Sequence, residues 1–259
     1  MSHTLELRHV TLRVPNLDRS LEFYVGQVGF ELTRRQPADA ELSVAPGAPP
    51  LLSLVEDARA PAAPRDAAGL FHAALLFPSR SDLGAWLLVA ARRKLSFDGF
   101  SDHRVSEALY FSDPDGNGLE FYADRPRSEW PMKAGEVEMV TAPLDLDSLL
   151  GAAAAPADHP LAGARWGHLH LRVTELDRSE RFYTEALGMQ VTQRSYPDAR
   201  FLAADGYHHH LGLNRWGGIR QPQPPGALGL VEATFARAGA ASPKGGRDPD
   251  GLALRVVPL

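Results

Sequence analysis

Residues 8–35 read RHVTLRVPNLDRSLEFYVGQVGFELTRR, and residues 167–194 read GHLHLRVTELDRSERFYTEALGMQVTQR. The two stretches align with each other without a gap. The identical pairs include a histidine, a tyrosine and a glycine: His9 with His168, Tyr24 with Tyr183, and Gly29 with Gly188. Such a density of identities indicates a duplicated structural unit, and this repeat decides the fold.

Each copy of the repeat predicts a β-α-β unit. Val10, Leu12 and Val14 alternate with polar residues, which is typical of a half-buried strand. Asp18 lies where a helix should begin, and aspartate is a favourable N-cap. Gly29 is placed to end that helix before a second strand, because glycine readily adopts the left-handed conformation at helix ends.

A weaker second repeat completes the pattern. Residues 69–75, GLFHAAL, resemble 229–235, GLVEATF, and the DPDG turn at 113–116 recurs at 248–251. We therefore predict an α+β protein of four tandem modules, the last one shortened. The predicted division is a first half of two modules, a linker and a second half of two modules: 1–125, 126–164 and 165–259.

Composition excludes several kinds of site and partner. The chain has 259 residues, a formal charge of −5 and no cysteine, so a metal would need nitrogen and oxygen ligands. The mild negative charge gives no basis for nucleic-acid binding. The longest apolar run, 83–91, is far shorter than the roughly 20 residues of a membrane span. We expect a soluble, cytoplasmic protein without a nucleic-acid or membrane partner.

Four tandem βαβββ modules resemble the vicinal oxygen chelate superfamily, which includes glyoxalases, bleomycin resistance proteins and extradiol dioxygenases. The resemblance implies that paired modules form cupped mixed sheets, with metal ligands on the first and last strands of each module. Carried over to this sequence, it implies His9, His72 and Glu120 as metal ligands. Ser53 falls at the fourth ligand position, and serine is a poor ligand.

Residues 101–120, SDHRVSEALYFSDPDGNGLE, resemble the pattern of extradiol ring-cleaving dioxygenases, with Ser101 as the one departure. His103, Tyr110 and Glu120 fall in the family's order. Within that family, the Bacillus type of catechol 2,3-dioxygenase matches best. The resemblance implies catalytic roles for His103 and Tyr110 as hydrogen-bond partners of the substrate and oxygen, and for Asp102 in orienting one of them.

The expected function is that of an Fe(II)-dependent extradiol dioxygenase, which inserts O₂ into catechol or a substituted catechol. Two imidazoles and one carboxylate form the facial triad of non-haem iron oxygenases, and Mn(II) would suit the same ligands. An acid–base histidine expected on a strand between the two ligand histidines is missing from residues 44–54. Proton transfer would then need His103, a water or a residue from elsewhere.

Two other functions stay open at this point. A glyoxalase-type metal-dependent lyase or isomerase would need a further ligand near residues 52–54, and a non-catalytic small-molecule-binding protein would need no metal. Open sheet edges also allow a homo-dimer.

The second half has Arg255 at a ligand position, and arginine cannot bind a metal. Its histidines could form a second metal site, a packed cluster or part of a pocket wall: His168, His170, His208, His209 and His210.

Overall fold

The structure is a computed structural model that describes residues 4–155, 157–242 and 244–259. Each module has its own run of strands. Module one contains β1 (Leu5–Val14), β2 (Glu31–Arg35), β3 (Asp39–Ser43) and β4 (Leu52–Glu56). Module two contains β5 (Gly69–Leu76), β6 (Gly99–Asp102), β7 (Ser106–Ser112) and β8 (Gly118–Asp124).

The bridge between modules two and three contains β9 (Met132–Lys133), β10 (Glu136–Val137) and β11 (Ala142–Pro143). Module three contains β12 (Arg165–Arg172), β13 (Gln190–Gln193), β14 (Ala199–Ala203) and β15 (Leu211–Asn214). Module four contains β16 (Gly229–Arg237), β17 (Lys244–Arg247) and β18 (Ala253–Pro258). As predicted, module four is shortened, because β16 leads to β17 with no helix among the described residues between them.

The helices lie where the repeat predicts them. In module one, α1 (Leu17–Leu21) continues as a π-helical turn, Glu22–Val28, and in module three α4 spans Leu176–Leu187. The Asn16 side chain caps α1, so Asp18 lies in the first turn instead of at the predicted cap. Gly29 ends the helix with a φ of 106°, as expected for a left-handed C-terminal glycine. The other helices of the described residues are α2 (Arg80–Arg92) in module two, and α3 (Leu146–Gly151) and a short 3₁₀ helix, Arg127–Glu129, in the bridge.

The predicted α+β fold of tandem modules is confirmed, and its strands form two large curled mixed sheets. The first sheet has seven strands in the order β17-β18-β16-β1-β4-β3-β2, which combines modules four and one. The second sheet has nine strands in the order β11-β6-β7-β8-β5-β12-β15-β14-β13, which combines modules two and three. A third, two-stranded sheet contains β9 and β10.

This pairing of modules corrects the predicted division into halves 1–125 and 165–259. The first strands pair antiparallel as β1 with β16 and β5 with β12, instead of as neighbours along the chain. Hydrophobic periodicity indicates which face of a strand is buried but does not name the strand's partner, so it does not select between the two pairings. The consequence is that any site within one sheet draws on both predicted halves.

The apolar faces of the two sheets share one core. Val10 and Leu12 of β1, and Leu169 and Leu171 of β12, belong to the same buried cluster. The Trp166 indole nitrogen donates a hydrogen bond of 2.6 Å to the Leu51 carbonyl, which ties the second sheet to the first. Because side chains alternate along a strand, the histidines of β1 and β12 lie on the faces turned away from this core.

The segment predicted as a linker, 126–164, is partly ordered against the second sheet. β11 pairs with β6, and the Glu136 carboxylate accepts hydrogen bonds from the backbone N–H groups of Arg194 and Ser195. The bridge thereby extends across modules two and three. Over the described ranges, no helix is long and apolar enough to cross a membrane.

Candidate metal centre

Three side chains that can bind a metal converge on the second sheet. His72 lies on β5 and His168 on β12, the first strands of modules two and three, and Glu120 lies on β8, the last strand of module two. The pairing of β5 with both β8 and β12 brings these strands side by side. One ligand atom from each residue lies within 4.8 Å of the other two, and all three residues are buried.

The contacts within this cluster fit a shared metal better than a plain hydrogen-bond network. Oε2 of Glu120 lies 2.9 Å from Nε2 of His72 and 3.1 Å from Nε2 of His168. Nε2 of His72 is nevertheless buried without a hydrogen-bond partner. Buried polar atoms are rarely left unpaired, and two imidazole nitrogens with one carboxylate oxygen are a donor set for Fe, Mn or Zn.

The protonation states favoured in the cluster are those that ligands need. Burial lowers the pKa of His168 to about 4, which keeps its imidazole neutral. Burial opposes ionisation of Glu120, but a neutral His168 still donates a hydrogen bond of 3.1 Å to its carboxylate, which favours the ionised form and lowers the pKa of that carboxyl. A neutral imidazole and a charged carboxylate are both ready to coordinate a cation.

His9 does not join His72 and Glu120, so the predicted set of three is not assembled. It lies on β1 in the first sheet, where its Nε2 is 3.1 Å from Oγ of Ser53. The position expected for His9 is taken by His168, its counterpart in the sequence repeat. The change follows from the pairing of β5 with β12 instead of β1.

The fourth ligand position of the second sheet is held by a glycine. On β5, Ala74 lies two residues after His72 and pairs with Glu120 of β8. On β12, the residue two after His168 is His170, which pairs with Gly212 of β15. Gly212 is therefore the counterpart of Glu120 in module three and offers no ligand. A Cβ there would lie 2.7–2.9 Å from atoms of the His170 ring, so the glycine also makes room for that imidazole.

A cavity of about 750 Å³ opens over the cluster. His72 and Glu120 lie at its lining, together with His103, Tyr110 and residues of the bridge, and it is bounded on the other side by module three. A concave, largely apolar pocket with a few convergent polar groups is the usual form of a small-molecule site.

His103 and Tyr110, two of the residues with predicted catalytic roles, meet in the cavity. Nδ1 of His103 lies 2.5 Å from the Val140 carbonyl oxygen, and a carbonyl can only accept, so Nδ1 carries the proton. Nε2 of the neutral ring then accepts from the Tyr110 hydroxyl, 2.6 Å away. Burial and the adjacent Glu120 raise the pKa of Tyr110 well above its usual value, so the phenol keeps its proton.

Asp102 does not take the predicted orienting role. Its carboxylate accepts hydrogen bonds from the Arg104 backbone N–H and from the Arg125 guanidinium, at 2.8 and 2.7 Å. It is absent from the residues that line the cavity. Asp102 is at the end of β6 and is held by Arg125, and the contact to the His103 ring comes instead from the Val140 carbonyl of the bridge.

Two further histidines of module three line the cavity. The His209 ring lies 4.0 Å from that of His168, and its Nδ1 is 2.7 Å from Nδ1 of His208. The His170 ring lies 4.9 Å from that of His72, and Nε2 of His170 is buried without a hydrogen-bond partner. The sequence signal for both lies in module three, in the repeat copy that contains His168 and His170 and in the run of three histidines at 208–210.

The sequence profile of the Glyoxalase/Bleomycin resistance protein/Dioxygenase superfamily matches residues 6–121 and 165–241. The chain belongs to this superfamily. It is also 41% identical over 227 residues to the catechol-2,3-dioxygenase of Bacillus subtilis (strain 168), a match that covers 86% of this chain and 79% of that protein.

Solved structures of the superfamily fold resemble the whole chain. A proposed dioxygenase from Bacillus subtilis gives a TM-score of 0.65 at 12% identity, covering 100% of this chain and 86% of that one. Glyoxalase I from Zea mays gives 0.58 at 18% identity, covering 98% and 92%. At these identities the likeness bears on the fold alone, and it agrees with the four-module architecture.

Proposed function

We propose that this protein is an extradiol ring-cleaving dioxygenase whose metal is held by His72, Glu120 and His168. The observation that carries the proposal is this buried cluster of two imidazoles and a carboxylate beneath an open cavity, with Gly212 at the fourth position. Such a set leaves coordination positions free for a diol and O₂. The likeness to the catechol-2,3-dioxygenase of Bacillus subtilis supports the same reaction.

The metal we propose is Fe(II), with Mn(II) as the second candidate. When bound, a redox-active ion supplies Lewis-acid binding of the diol and electron exchange with O₂. Both atoms of O₂ would enter the product, and the carbon–carbon bond beside the diol would break. A glyoxalase-type reaction is less well supported, because it calls for a fourth protein ligand and Gly212 offers none.

The side chains around the cluster would bind and orient the diol. Tyr110 is protonated and donates to His103, so its hydroxyl oxygen could accept a hydrogen bond from a hydroxyl group of the diol. The Val140 carbonyl fixes the His103 ring, which keeps Nε2 directed at that hydroxyl. Removal of such an outer partner typically lowers activity by about 10–100-fold.

We propose His209 as the acid–base group that the first-half sequence lacks. Its ring lies against His168 and lines the cavity, and burial with the neighbouring histidines lowers its pKa well below the usual value. A neutral imidazole in this position could accept a proton from the diol. His209 contacts His208 through their Nδ1 atoms, and Nε2 of His208 lies 2.9 Å from the half-buried Asp124. A hydrogen-bonded chain thus leads from His209 to a carboxylate outside the cavity lining.

The test is anaerobic loading with Fe(II), then with Mn(II), followed by catechol and air. A yellow ring-opened product is expected with one of the two ions, and the Tyr110→Phe variant should form it about 10–100-fold more slowly. Stoichiometric metal binding without ring opening of any catechol would contradict the proposal. Protein that binds neither ion would instead favour a metal-free small-molecule-binding protein.

A further inference from the structure

The cavity is larger than the reaction at its floor requires. Its volume of about 750 Å³ lies within the roughly 300–1,000 Å³ of pockets that enclose drug-sized ligands. A diol needs only the region next to His72, Glu120 and Tyr110. The remaining space must accommodate either solvent or a substituent on the ring.

An aromatic wall, defined as Phe71, Tyr196, Phe201 and Trp216, leads from the metal cluster outward. The Phe71 ring is 5.2 Å from that of His72 and 5.4 Å from that of Trp216, and the Trp216 ring is 5.9 Å from that of Tyr196. Phe201 completes the wall, at 5.7 Å from Tyr196. Rings spaced in this way offer faces and edges against which another aromatic ring can pack.

Apolar side chains next to the aromatic wall extend the apolar lining of the outer cavity. Val105 and Met139 are buried in one cluster with Phe201, and both line the cavity. The Thr141 hydroxyl lies 3.0 Å from that of Tyr196, so the bridge and module three meet at the mouth. A substituent that enters this region therefore exchanges water for contacts with the aromatic wall, Val105 and Met139, which favours binding by the hydrophobic effect.

The charges around the cavity disfavour an anionic substituent. Among the described residues that line it, none is lysine or arginine, and the two charged side chains, Asp98 and Glu120, are both acidic. A carboxylate in the outer cavity would lose hydration without gaining a cationic partner, which is costly.

From these observations, and resting on the function proposed above, we infer the substrate class. The substrate is a catechol with an uncharged, apolar substituent of about the size of a phenyl ring. Carboxylated catechols are excluded by the acidic and apolar lining.

The test measures binding and turnover separately in the Fe(II)-loaded full chain. Binding of catechol, the two phenylcatechols and 3,4-dihydroxyphenylacetate is followed anaerobically by tryptophan fluorescence, since Trp216 lines the cavity. Ring opening of each diol is then followed after air is admitted. One phenylcatechol should bind at least about tenfold more tightly than catechol, and the carboxylated diol at least about tenfold more weakly.

The outcomes separate this inference from the function on which it rests. If no diol is ring-opened, the proposed function falls and this inference falls with it. If catechol is ring-opened but the carboxylated diol binds as tightly as either phenylcatechol, this inference alone is overturned. The same holds if neither phenylcatechol binds more tightly than catechol.

Two pairs of variants identify the residues responsible. Phe71→Ala should reduce the preference for the phenylcatechol several-fold, whereas Leu32→Ala, an equally exposed apolar side chain on the first sheet, should not change it. Thr141→Arg should strengthen binding of the carboxylated diol, and Thr33→Arg should not; both threonines are exposed and hydrogen-bonded. Identical results within a pair would contradict the proposed substituent site.

Discussion

The two large sheets are built from the same repeated module, yet within the described residues a metal-binding cluster occurs in the second sheet alone. At equivalent register positions, the second sheet has two histidines, a glutamate and a glycine: His72, His168, Glu120 and Gly212. The first sheet has a histidine, a serine, a glutamate and an arginine: His9, Ser53, Glu232 and Arg255.

At these four register positions the two sheets differ in their side chains. In the first sheet, Arg255 faces Glu232 across 3.5 Å, so the carboxylate is balanced by a guanidinium instead of a cation from solution. His9 is paired with Ser53. Since arginine cannot ligate a metal, the substitutions replace a potential site by internal ion pairing and hydrogen bonding. In this chain, the side chains at four register positions of each sheet therefore decide whether that sheet offers a set of metal ligands.

The largest expected difference between the sheets concerns their two glutamates. Glu120→Gln should reduce ring opening by at least about 100-fold, since a ligand should matter more than the outer partners, whose loss costs about 10–100-fold. Glu232→Gln, at a register position of the first sheet, should leave kcat/KM within about twofold. Steady-state kinetics on Fe(II)-loaded protein would measure both. Equal losses of kcat/KM in the two variants would contradict the assignment of the metal ligand to Glu120 alone.

The pH dependence of stability should also separate the sheets. In the metal-free protein the pKa of His168 is about 4, against 6.5 for an ordinary histidine. The unfolded chain therefore gains a proton as the pH falls through 6.5, whereas folded His168 does not until about 4, so the free energy of unfolding falls over this window. For this residue the fall is about 3 kcal/mol.

Urea unfolding of chelator-treated protein at pH 7, 6, 5 and 4 would measure this fall. His168→Gln should flatten the profile more than His9→Gln, because His9 is only partly buried. A profile that is unchanged by His168→Gln would show that this imidazole is not the group responsible.

A smaller effect is expected at the glycine that takes the fourth ligand position. In Gly212→Ala the new methyl group would press on the His170 ring, and overpacking of this kind costs about 1–3 kcal/mol. We also expect kcat/KM to fall by about tenfold, because displacement of an active-site group by about 1 Å can cost up to 100-fold. Gly246→Ala in the first sheet, where a Cβ meets nothing within 4 Å, is the matched control. Chemical denaturation and kinetics of both variants would test this.

The smallest effect is expected where the repeat is symmetric. The Tyr24 hydroxyl donates to the buried Asp113 at 2.9 Å, and the Tyr183 hydroxyl donates to the buried Asp248 at 2.9 Å. Tyr24→Phe and Tyr183→Phe should each cost about 1–3 kcal/mol, the penalty of an unmet buried hydrogen bond. Neither substitution should change the turnover number per bound metal ion. A large difference between the two costs would mean that the paired turns are not equivalent.

Much of this architecture could be predicted from the sequence, because the repeat carries its own alignment. The alternation of Val10, Leu12 and Val14 indicates a strand, and Gly29 marks the helix end. The segment 101–120 places His103, Tyr110 and Glu120 together, since all three belong to one module and their spacing is local.

The pairing of modules could not be predicted, so the sequence names His9 as a ligand where the structure brings His168 to His72 and Glu120. The choice of strand partner depends on packing and on the path of the bridge, which have no periodic signature. For the same reason, the sequence left open whether His209 belongs to a metal site, a packed cluster or a pocket wall. The Val140 carbonyl, a backbone group, gives no signal in a sequence at all.

The most direct test is the metal content of two histidine variants at the same position of the repeat. His168→Ala and His9→Ala are loaded anaerobically with Fe(II), dialysed and analysed beside the wild type. We predict about one iron per chain in the wild type and in His9→Ala, and almost none in His168→Ala. Loss of iron from His9→Ala with retention by His168→Ala would contradict the assignment of the centre to the second sheet.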